Sequence, residues 1–293
     1  MIPGFSDHLF EDGPRHIAYS RGGDGPPLLL LHGFPQTRAM WAEIAPALAT
    51  EFTVIAADLR GYGGSWKPGR MEDYSFREMG GDQLDLMSSL GLDRFHLAGH
   101  DRGGRTAHRM ALDAPDRVAS LTLMDIVPTH LLLDNLSKEV ATAYYHWFFL
   151  AQPEPFPETM IGADPDHFFE SCLLGWGSAR LEDFAANQLT SYREAWRDPE
   201  TIRGMCHDYR AAIAVDFGLD AADLGRRVSC PSLVLYGADG AMARAYDVAA
   251  TWADRLTDIR SASIPGGHFF PDTAPDATVQ ALRMFYTKQK KAL

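Results

Sequence analysis

Residues 95–105 have the sequence Phe95-His96-Leu97-Ala98-Gly99-His100-Asp101-Arg102-Gly103-Gly104-Arg105, and this stretch decides the fold. Its first four residues form an apolar run typical of a buried strand, and a helix-like pattern follows over residues 104–114. The Gly-X-Asp-X-Gly sequence between them predicts a sharp strand-to-helix turn that presents Asp101 as a nucleophile, with glycines where side chains would not fit. The alternative is a glycine-rich turn in which Asp101 only caps the following helix.

The same alternation of apolar runs and helix-like segments extends outward from this turn. Short apolar strands that alternate with helices indicate a mostly parallel β-sheet covered on both faces, which is the α/β class. The predicted strands are residues 28–31, 53–57, 95–98, 118–124, 232–236 and 259–264, and the predicted helices are residues 76–90, 104–114, 243–256 and 274–290.

An aromatic, helix-like segment with three spaced prolines interrupts this alternation after Asp125. We therefore predict one α/β core formed by residues 1–126 and 218–293, with a helical cap inserted at residues 127–217. An apolar insertion between core strands is a natural lid, because it excludes water from a site at the edge of the sheet.

The composition limits the kind of protein and the kind of partner. With 293 residues, 46% of them hydrophobic and 23% charged, the chain has the make-up of a globular enzyme. A net charge of −12 argues against nucleic acids and anionic membranes as partners, although arginines inside a pocket can still bind a small anion. Three cysteines without metal-ligand spacing, no leader-like start and no long apolar run indicate a soluble cytoplasmic protein.

An aspartate at the turn limits the reactions that the site can catalyse. A serine that attacked a saturated carbon would form an ether, which water does not easily reopen, whereas a carboxylate forms an ester that water can cleave at the carbonyl of the aspartate. A carboxylate is also ionised at neutral pH without the help of a base. Asp101 therefore points to dehalogenation or epoxide opening, and we expect no cofactor and no metal because this chemistry needs only water.

A general base is expected near the end of the chain. His268, in Gly266-Gly267-His268-Phe269, follows the last predicted strand and comes after the nucleophile, as this arrangement requires. An acidic residue should orient the imidazole, and two candidates end neighbouring strands. We favour Asp125, which is embedded in apolar residues, over Asp239, which lies in a glycine-rich turn.

Two backbone N–H groups are expected to stabilise an oxyanion. His32-Gly33-Phe34-Pro35 follows the first predicted strand, and we expect its Phe34 to supply one donor. Arg102, the residue after the nucleophile, should supply the second. The alternative for this segment is an ordinary hydrophobic turn.

Arg102 and Arg105 lie three positions apart at the start of the predicted helix, and therefore on one face of it. Two guanidinium groups at a helix N-terminus beside the nucleophile predict a substrate that carries a carboxylate. The alternative is a solvated arginine pair that binds acidic residues of a neighbouring helix face.

These motifs resemble those of the fluoroacetate dehalogenases, a haloacetate-hydrolysing branch of the α/β hydrolases, and the resemblance covers nearly the whole chain. Its most specific part is the sequence from His100 to Arg105, since related epoxide hydrolases and haloalkane dehalogenases usually have tryptophan where Arg102 stands. The resemblance implies Asp101 as nucleophile, His268 as base and Asp125 as its partner. It also implies a small anionic haloacid as substrate, with chloroacetate as well as fluoroacetate accepted, and a homodimer.

The resemblance further implies a halide pocket made by side chains of the cap. His146, Trp147 and Tyr209 match its hydrogen-bond donors, and Trp176 matches an aromatic residue of the lid near the substrate. From the residues alone, packing in the core is the better interpretation of Trp147 and Trp176.

The sequence is also compatible with two rival functions. An epoxide hydrolase would share the nucleophile and base, and would present two cap tyrosines to the epoxide oxygen, for which Tyr209 and either Tyr144 or Tyr145 are candidates. The arginine pair argues against it. A ligand-binding receptor with an unused site is the other rival, and the complete Asp-His-Asp set argues against that.

Overall fold

The computed structural model describes residues 2–175 and 179–289. Within them the chain forms one eight-stranded sheet in the order β1-β2-β4-β3-β5-β6-β7-β8. The pairings of β1 with β2 and of β2 with β4 are antiparallel, and the others are parallel. The strands are β1 (Ser6–Asp12), β2 (Arg15–Gly22), β3 (Pro27–Leu31), β4 (Thr53–Ala57), β5 (Phe95–His100), β6 (Val118–Met124), β7 (Val228–Gly237) and β8 (Leu256–Ile264).

Fourteen α-helices accompany these strands in the described part of the chain. They are α1 (Ala45–Leu48), α2 (Phe76–Ser89), α3 (Arg102–Asp113), α4 (Thr129–Asp134), α5 (Lys138–Ala143), α6 (Tyr145–Leu150), α7 (Phe156–Ala163), α8 (Pro165–Gly175), α9 (Ala186–Trp196), α10 (Pro199–Ala211), α11 (Phe217–Ala222), α12 (Ala241–Ala245), α13 (Phe270–Thr273) and α14 (Pro275–Tyr286). Short 3-10 turns and one π-helical turn at Ala212–Asp216 connect some of them.

The apolar runs of the sequence form the centre of the sheet. Every residue of β4, β5 and β6 is buried. Because successive side chains of a strand point to opposite faces, this burial means that both faces of the central sheet are covered. The predicted α/β fold with a mostly parallel sheet is therefore confirmed.

One predicted helix is wrong. Residues 243–256 do not form a single helix: α12 ends at Ala245, a 3-10 turn covers Ala250–Trp252, and β8 already begins at Leu256. The side chain of Asp247 accepts a hydrogen bond from the backbone N–H of Ala250 at 3.1 Å. Such local bonding by an aspartate competes with a continuous helix, which explains the break.

The parallel strands bring the predicted site residues to one edge. Strand β5 lies between β3 and β6, and β7 and β8 follow β6. All of these strands run in the same direction, so the loops that follow them meet at the carboxyl edge, which is where ligands bind in open α/β sheets. Helices α4 to α11 lie between β6 and β7 in the chain and include the segment predicted as the cap. Within residues 2–175 and 179–289 no helix has the length and apolar character needed to cross a membrane.

Candidate active site

Asp101 occupies a strained turn between β5 and α3. Its backbone has φ 45° and ψ −113°, outside the regions that side chains favour. The turn is so tight that a Cβ on Gly99 would lie 2.2 Å from the carbonyl oxygen of Gly103, and a Cβ on Gly103 would lie 2.4 Å from that of His32. The Asp101 side chain makes no capping hydrogen bond to α3, so the alternative of a capping aspartate is not supported.

The loop after β3 lies against Asp101. The backbone N–H of Phe34 donates a hydrogen bond of 3.0 Å to Oδ2 of Asp101. The loop is held by the N–H of Gly103, which donates to the carbonyl of His32 at 2.9 Å, and by Nε2 of His32, which accepts from Leu59 N–H at 3.0 Å. The structure thus brings the predicted donor Phe34 to the carboxylate of Asp101, and it makes this loop more than an ordinary hydrophobic turn.

His268 and Asp125 form a buried pair. Nδ1 of His268 lies 2.6 Å from Oδ2 of Asp125, and Oδ1 of Asp125 accepts a hydrogen bond of 2.9 Å from the N–H of Gly237. Asp125 follows β6 with a positive φ of 51°. The other candidate, Asp239, is exposed, and its backbone rather than its side chain bonds to Gly266. Asp125 is therefore the carboxylate that the structure places on the imidazole.

The charges of the site act on both titrating groups. Burial alone would raise the pKa of Asp101, but His268, Arg102 and Arg105 outweigh it and hold this pKa below its ordinary value. Burial alone would lower the pKa of His268, but the hydrogen bond and charge of Asp125, together with the charge of Asp101, raise it above its ordinary value. Asp101 is thus an ionised carboxylate at neutral pH.

Arg105 is buried with neutral partners. Its Nη1 donates to the carbonyl of Val127 and to Oγ1 of Thr129, each at 3.0 Å. Among the described residues no carboxylate forms an ion pair with Arg105, and its Nε has no hydrogen-bond partner there. Burial lowers the pKa of Arg105. A buried guanidinium without a counter-ion is costly unless an anion joins it, so this side chain fits an anionic ligand.

Arg102 is also buried, but it already has a carboxylate partner. Its Nε donates to Oδ2 of Asp208 at 2.9 Å, and its Nη2 donates to Oδ1 and, at 3.1 Å, to the backbone carbonyl of the same residue. Nη1 has no partner among the described residues. Both arginines of the predicted pair are thus buried and not solvated. They differ from each other, because Asp208 binds the Nε and Nη2 edge of Arg102.

Sequence reasoning missed Asp208. Asp208 directly precedes Tyr209, which was predicted as a halide ligand. An acidic residue next to a predicted ligand is only a weak indication that the acid belongs to the site. Its partnership with Arg102 depends on how α10 packs on the core, which periodicity does not reveal.

The predicted halide ligands lie close together, next to Phe34. Ring centroids lie 5.4 Å apart for His146 and Tyr209, 5.2 Å for Trp147 and Tyr209, and 5.1 Å for Phe34 and Tyr209. Nε1 of Trp147 and the hydroxyl of Tyr209 are buried without a hydrogen-bond partner among the described residues. Buried donors normally have a partner, so these two fit a small acceptor. Trp176, the predicted lid aromatic, lies outside the described residues.

No group of His, Cys, Asp and Glu side chains that could hold a metal ion occurs in the part of the chain that the structure describes.

Comparison with known proteins identifies the group to which this site belongs. The family model of the alpha/beta hydrolase fold matches residues 26–275. The chain is 53% identical to a fluoroacetate dehalogenase from Burkholderia sp., over 100% of this chain and 97% of that protein. It is 29% identical to a soluble epoxide hydrolase from Corynebacterium sp. (strain C12), over 92% of each chain. A solved structure of an alpha/beta hydrolase from Nostoc sp. PCC 7120 superposes with a TM-score of 0.96 and 46% identity, over 98% of this chain and 99% of that one. The chain belongs to the fluoroacetate dehalogenase family of the α/β hydrolases.

Proposed function

We propose that the protein is a haloacetate dehalogenase that hydrolyses fluoroacetate, and also chloroacetate, to glycolate and halide. The observation that carries this proposal is that Asp101, at the tight turn after β5, is a buried carboxylate on which the charges of two buried arginines act, one of which forms no ion pair among the described residues. A carboxylate attacks saturated carbon, and an unpaired guanidinium selects a substrate that is itself an anion.

In the first step an oxygen of Asp101 attacks the carbon that bears the halogen. A carbon–oxygen bond forms, and the halide leaves with the electron pair of the carbon–halogen bond. Arg102 and Arg105 hold the substrate carboxylate, and His146, Trp147 and Tyr209 donate hydrogen bonds to the departing halide. The product of this step is a glycolyl ester of Asp101.

In the second step His268 takes a proton from water, and the resulting hydroxide attacks the carbonyl carbon of the ester. Backbone N–H groups of Phe34 and Arg102 stabilise the negative oxygen that develops. The bond between the carbonyl carbon and the glycolate oxygen then breaks, this oxygen takes the proton held by His268, and glycolate leaves. The remaining proton of the attacking water is lost from Asp101 to solvent, which restores the carboxylate. Asp125 orients the imidazole and stabilises its charged form.

Esterification of Asp101 itself prepares the base for this step. The negative charge of Asp101 is one of the causes that raise the pKa of His268. That charge disappears when the ester forms, so the pKa of His268 falls in the intermediate, which favours the neutral imidazole that accepts a proton.

An epoxide hydrolase remains the competing function. Tyr144 and Tyr209 are both buried, whereas Tyr145 is exposed. Burial raises the pKa of both buried tyrosines, and the charge of Asp101 raises each further. Two phenols near the nucleophile suit an epoxide oxygen, but the arginines suit a carboxylate better. Halide release from fluoroacetate and chloroacetate, with a panel of uncharged epoxides as the control, decides between the two.

Three further properties belong to the same proposal. We place the core at residues 1–126 and 218–293 and the cap at residues 127–217, which is supported by the run of helices between β6 and β7. A cytoplasmic location is supported by the absence of any paired cysteine among the described residues. A homodimer is supported by family resemblance alone, and the oligomeric mass in solution tests it.

Arg105→Leu should raise KM for fluoroacetate by about 10- to 100-fold, the range expected when one hydrogen bond to a charged group is lost. The physical reason is that the guanidinium of Arg105 donates to two neutral oxygens and forms no ion pair with a carboxylate of the described chain, so its charge is available to the substrate. Steady-state halide release measures the effect, and haloacetamide should be a poor substrate of the wild type.

Arg109→Leu is the matched control for this prediction. Arg109 lies one turn further along α3, is also buried, and pairs with Asp113 and Asp223 instead of facing the site. We expect its loss to lower stability but to leave KM unchanged. Equal rates with haloacetate and haloacetamide in the wild type would remove the carboxylate clamp from the proposal.

Tyr209→Phe and Trp147→Phe should lower kcat for fluoroacetate by about 10²–10³, with a smaller loss for chloroacetate. Fluoride concentrates its charge in a smaller ion, so its departure depends more on donors that strengthen in the transition state. Parallel kinetics with the two substrates measure the difference.

Tyr286→Phe is the control for these variants, because it removes a buried hydroxyl that bonds to Thr122 in the core, at 3.1 Å. It should affect neither substrate. Equal losses for fluoroacetate and chloroacetate in the two cap variants would mean that these side chains only pack.

A further inference from the structure

The partnership of Arg102 with Asp208 joins two separate parts of the chain. Arg102 is the first residue of α3, directly after the nucleophile, and Asp208 lies in α10, 106 residues later. Both side chains are fully buried. The bond at Nε of 2.9 Å and the bond of Nη2 to Oδ1 form a two-pronged contact, which fixes the plane of the guanidinium as well as its distance.

Aromatic rings surround the same guanidinium. Its Cζ lies 4.6 Å from the ring centroid of Phe76, 4.8 Å from that of Trp147 and 4.3 Å from that of Tyr209. These rings favour a cation and restrict its tilt. The rings do not fix the rotation of the guanidinium within its own plane, because they do not distinguish its nitrogens. The carboxylate of Asp208 fixes this rotation.

Asp208 is itself held in place by a residue of the core. The hydroxyl of Tyr62 donates to Oδ2 of Asp208 at 2.6 Å. The chain of contacts Tyr62–Asp208–Arg102 uses Nε and Nη2 of the arginine and leaves Nη1 without a partner among the described residues. One defined nitrogen therefore remains for a ligand.

Two buried carboxylates besides Asp208 interact with the charge of Arg102: the nucleophile Asp101 and Asp216. Arg102 is adjacent to Asp101 in sequence, and its charge contributes to lowering the pKa of Asp101. A buried guanidinium released from Asp208 would still need a carboxylate. Burial raises the pKa of Asp216 to about 8, so Asp216 is not ionised at neutral pH, whereas the pKa of Asp101 is lowered and Asp101 is an anion. An ion pair between Arg102 and Asp101 would occupy the oxygen that must attack carbon.

We propose that Asp208 is a positioning residue, which holds Arg102 with one nitrogen directed to the substrate carboxylate and prevents the guanidinium from forming an ion pair with Asp101. This inference rests on the proposed function. It makes the two arginines unequal: Arg105 supplies charge, whereas Arg102, neutralised by Asp208, supplies a directed hydrogen bond. Because Asp208 stands on a helix between β6 and β7, the clamp is complete only when that helix is seated on the core.

The test is a double-mutant cycle on Asp208 and Arg102. Asp208→Asn keeps the shape but puts an amide donor opposite a guanidinium donor. We expect kcat/KM for fluoroacetate and chloroacetate to fall about 10- to 100-fold, the range for one charge-assisted hydrogen bond. In the Arg102→Gln background the same change should cost less than about twofold, since positions that act through one another are not additive.

Chloroacetamide separates positioning from folding. This neutral substrate does not need the clamp, yet Asp208→Asn should react with it more slowly than the wild type because Arg102 then pairs with Asp101. Adding Arg102→Gln to Asp208→Asn should restore the rate. A purely structural role predicts the opposite, namely a double variant at least as slow as either single variant.

Tyr62→Phe tests the same proposal if the Asp208→Asn variant does not fold. It removes only the hydroxyl that holds Asp208 and should give a smaller loss in the same direction. Tyr74→Phe is its control, since the buried Tyr74 hydroxyl bonds to the carbonyl of Pro68 at 2.8 Å instead.

The possible failures can be told apart. No halide release by the wild type would overturn the proposed function and this inference with it. Halide release by the wild type together with unchanged kinetics of Asp208→Asn, or of Tyr62→Phe where Asp208→Asn is unfolded, would overturn the role of Asp208 alone.

Discussion

Asp101→Asn should abolish halide release from fluoroacetate and chloroacetate, because a neutral amide does not displace halide from carbon. Asparagine is the informative replacement, since it tolerates a positive φ better than alanine does and keeps the shape of the turn. A halide electrode and an unfolding curve together measure the effect, and we expect loss of turnover without loss of the fold.

Asp116→Asn is the control, because Asp116 is exposed near the end of α3 and should tolerate the same chemical change without loss of rate. Residual turnover by Asp101→Asn above the background of a blank would mean that another group attacks the substrate. The assignment of the nucleophile would then be wrong.

His268→Asn should stop the reaction after its first step. Halide should appear in one burst that matches the amount of enzyme, and a glycolyl group should accumulate on Asp101. The reason is that ester formation needs only the carboxylate, whereas ester cleavage needs a base for water. Mass spectrometry of the intact variant and of its peptides after exposure to fluoroacetate locates the modification.

Asp239→Asn accompanies this experiment as the control, since Asp239 was the other candidate for orienting the imidazole and is exposed in the structure. It should turn over like the wild type and carry no ester. A modified peptide elsewhere, or a burst with no modified peptide, would contradict the two-step mechanism.

The core of the fold was predictable because its signals are local. A strand, a tight turn and a helix follow one another within residues 95–114, and glycines are required where the backbones approach. The meeting of His268 with an acid of a neighbouring strand end was also predictable, because the ends of parallel strands meet at one edge. Topology alone allowed both Asp125 and Asp239, and the apolar surroundings of Asp125, which lies 143 residues from His268, favoured it. Neither inference needs knowledge of side-chain packing.

The parts that were missed depend on packing or lack a hydrophobic pattern. Strands β1 and β2 were not predicted. Strand β1 is largely exposed, and β2 is buried only over residues 17–20, so neither carries a long apolar run. The break after α12 depends on one aspartate side chain. Asp208 required knowledge of how α10 lies against α3, since nothing in the local sequence pairs it with Arg102.

The backbone at the two aspartates that follow β5 and β6 lowers the thermal stability of the protein. Asp101 and Asp125 are the two non-glycine residues of the described chain with a positive φ. Such a backbone costs of order 1–3 kcal/mol per residue, while a whole domain retains only about 5–15 kcal/mol against unfolding. Selection for heat resistance alone would therefore favour residues that adopt a positive φ without strain, most simply glycine in place of Asp101. Such a substitution would remove the nucleophile and abolish the activity. Libraries screened for stability need a parallel screen for turnover to keep both aspartates.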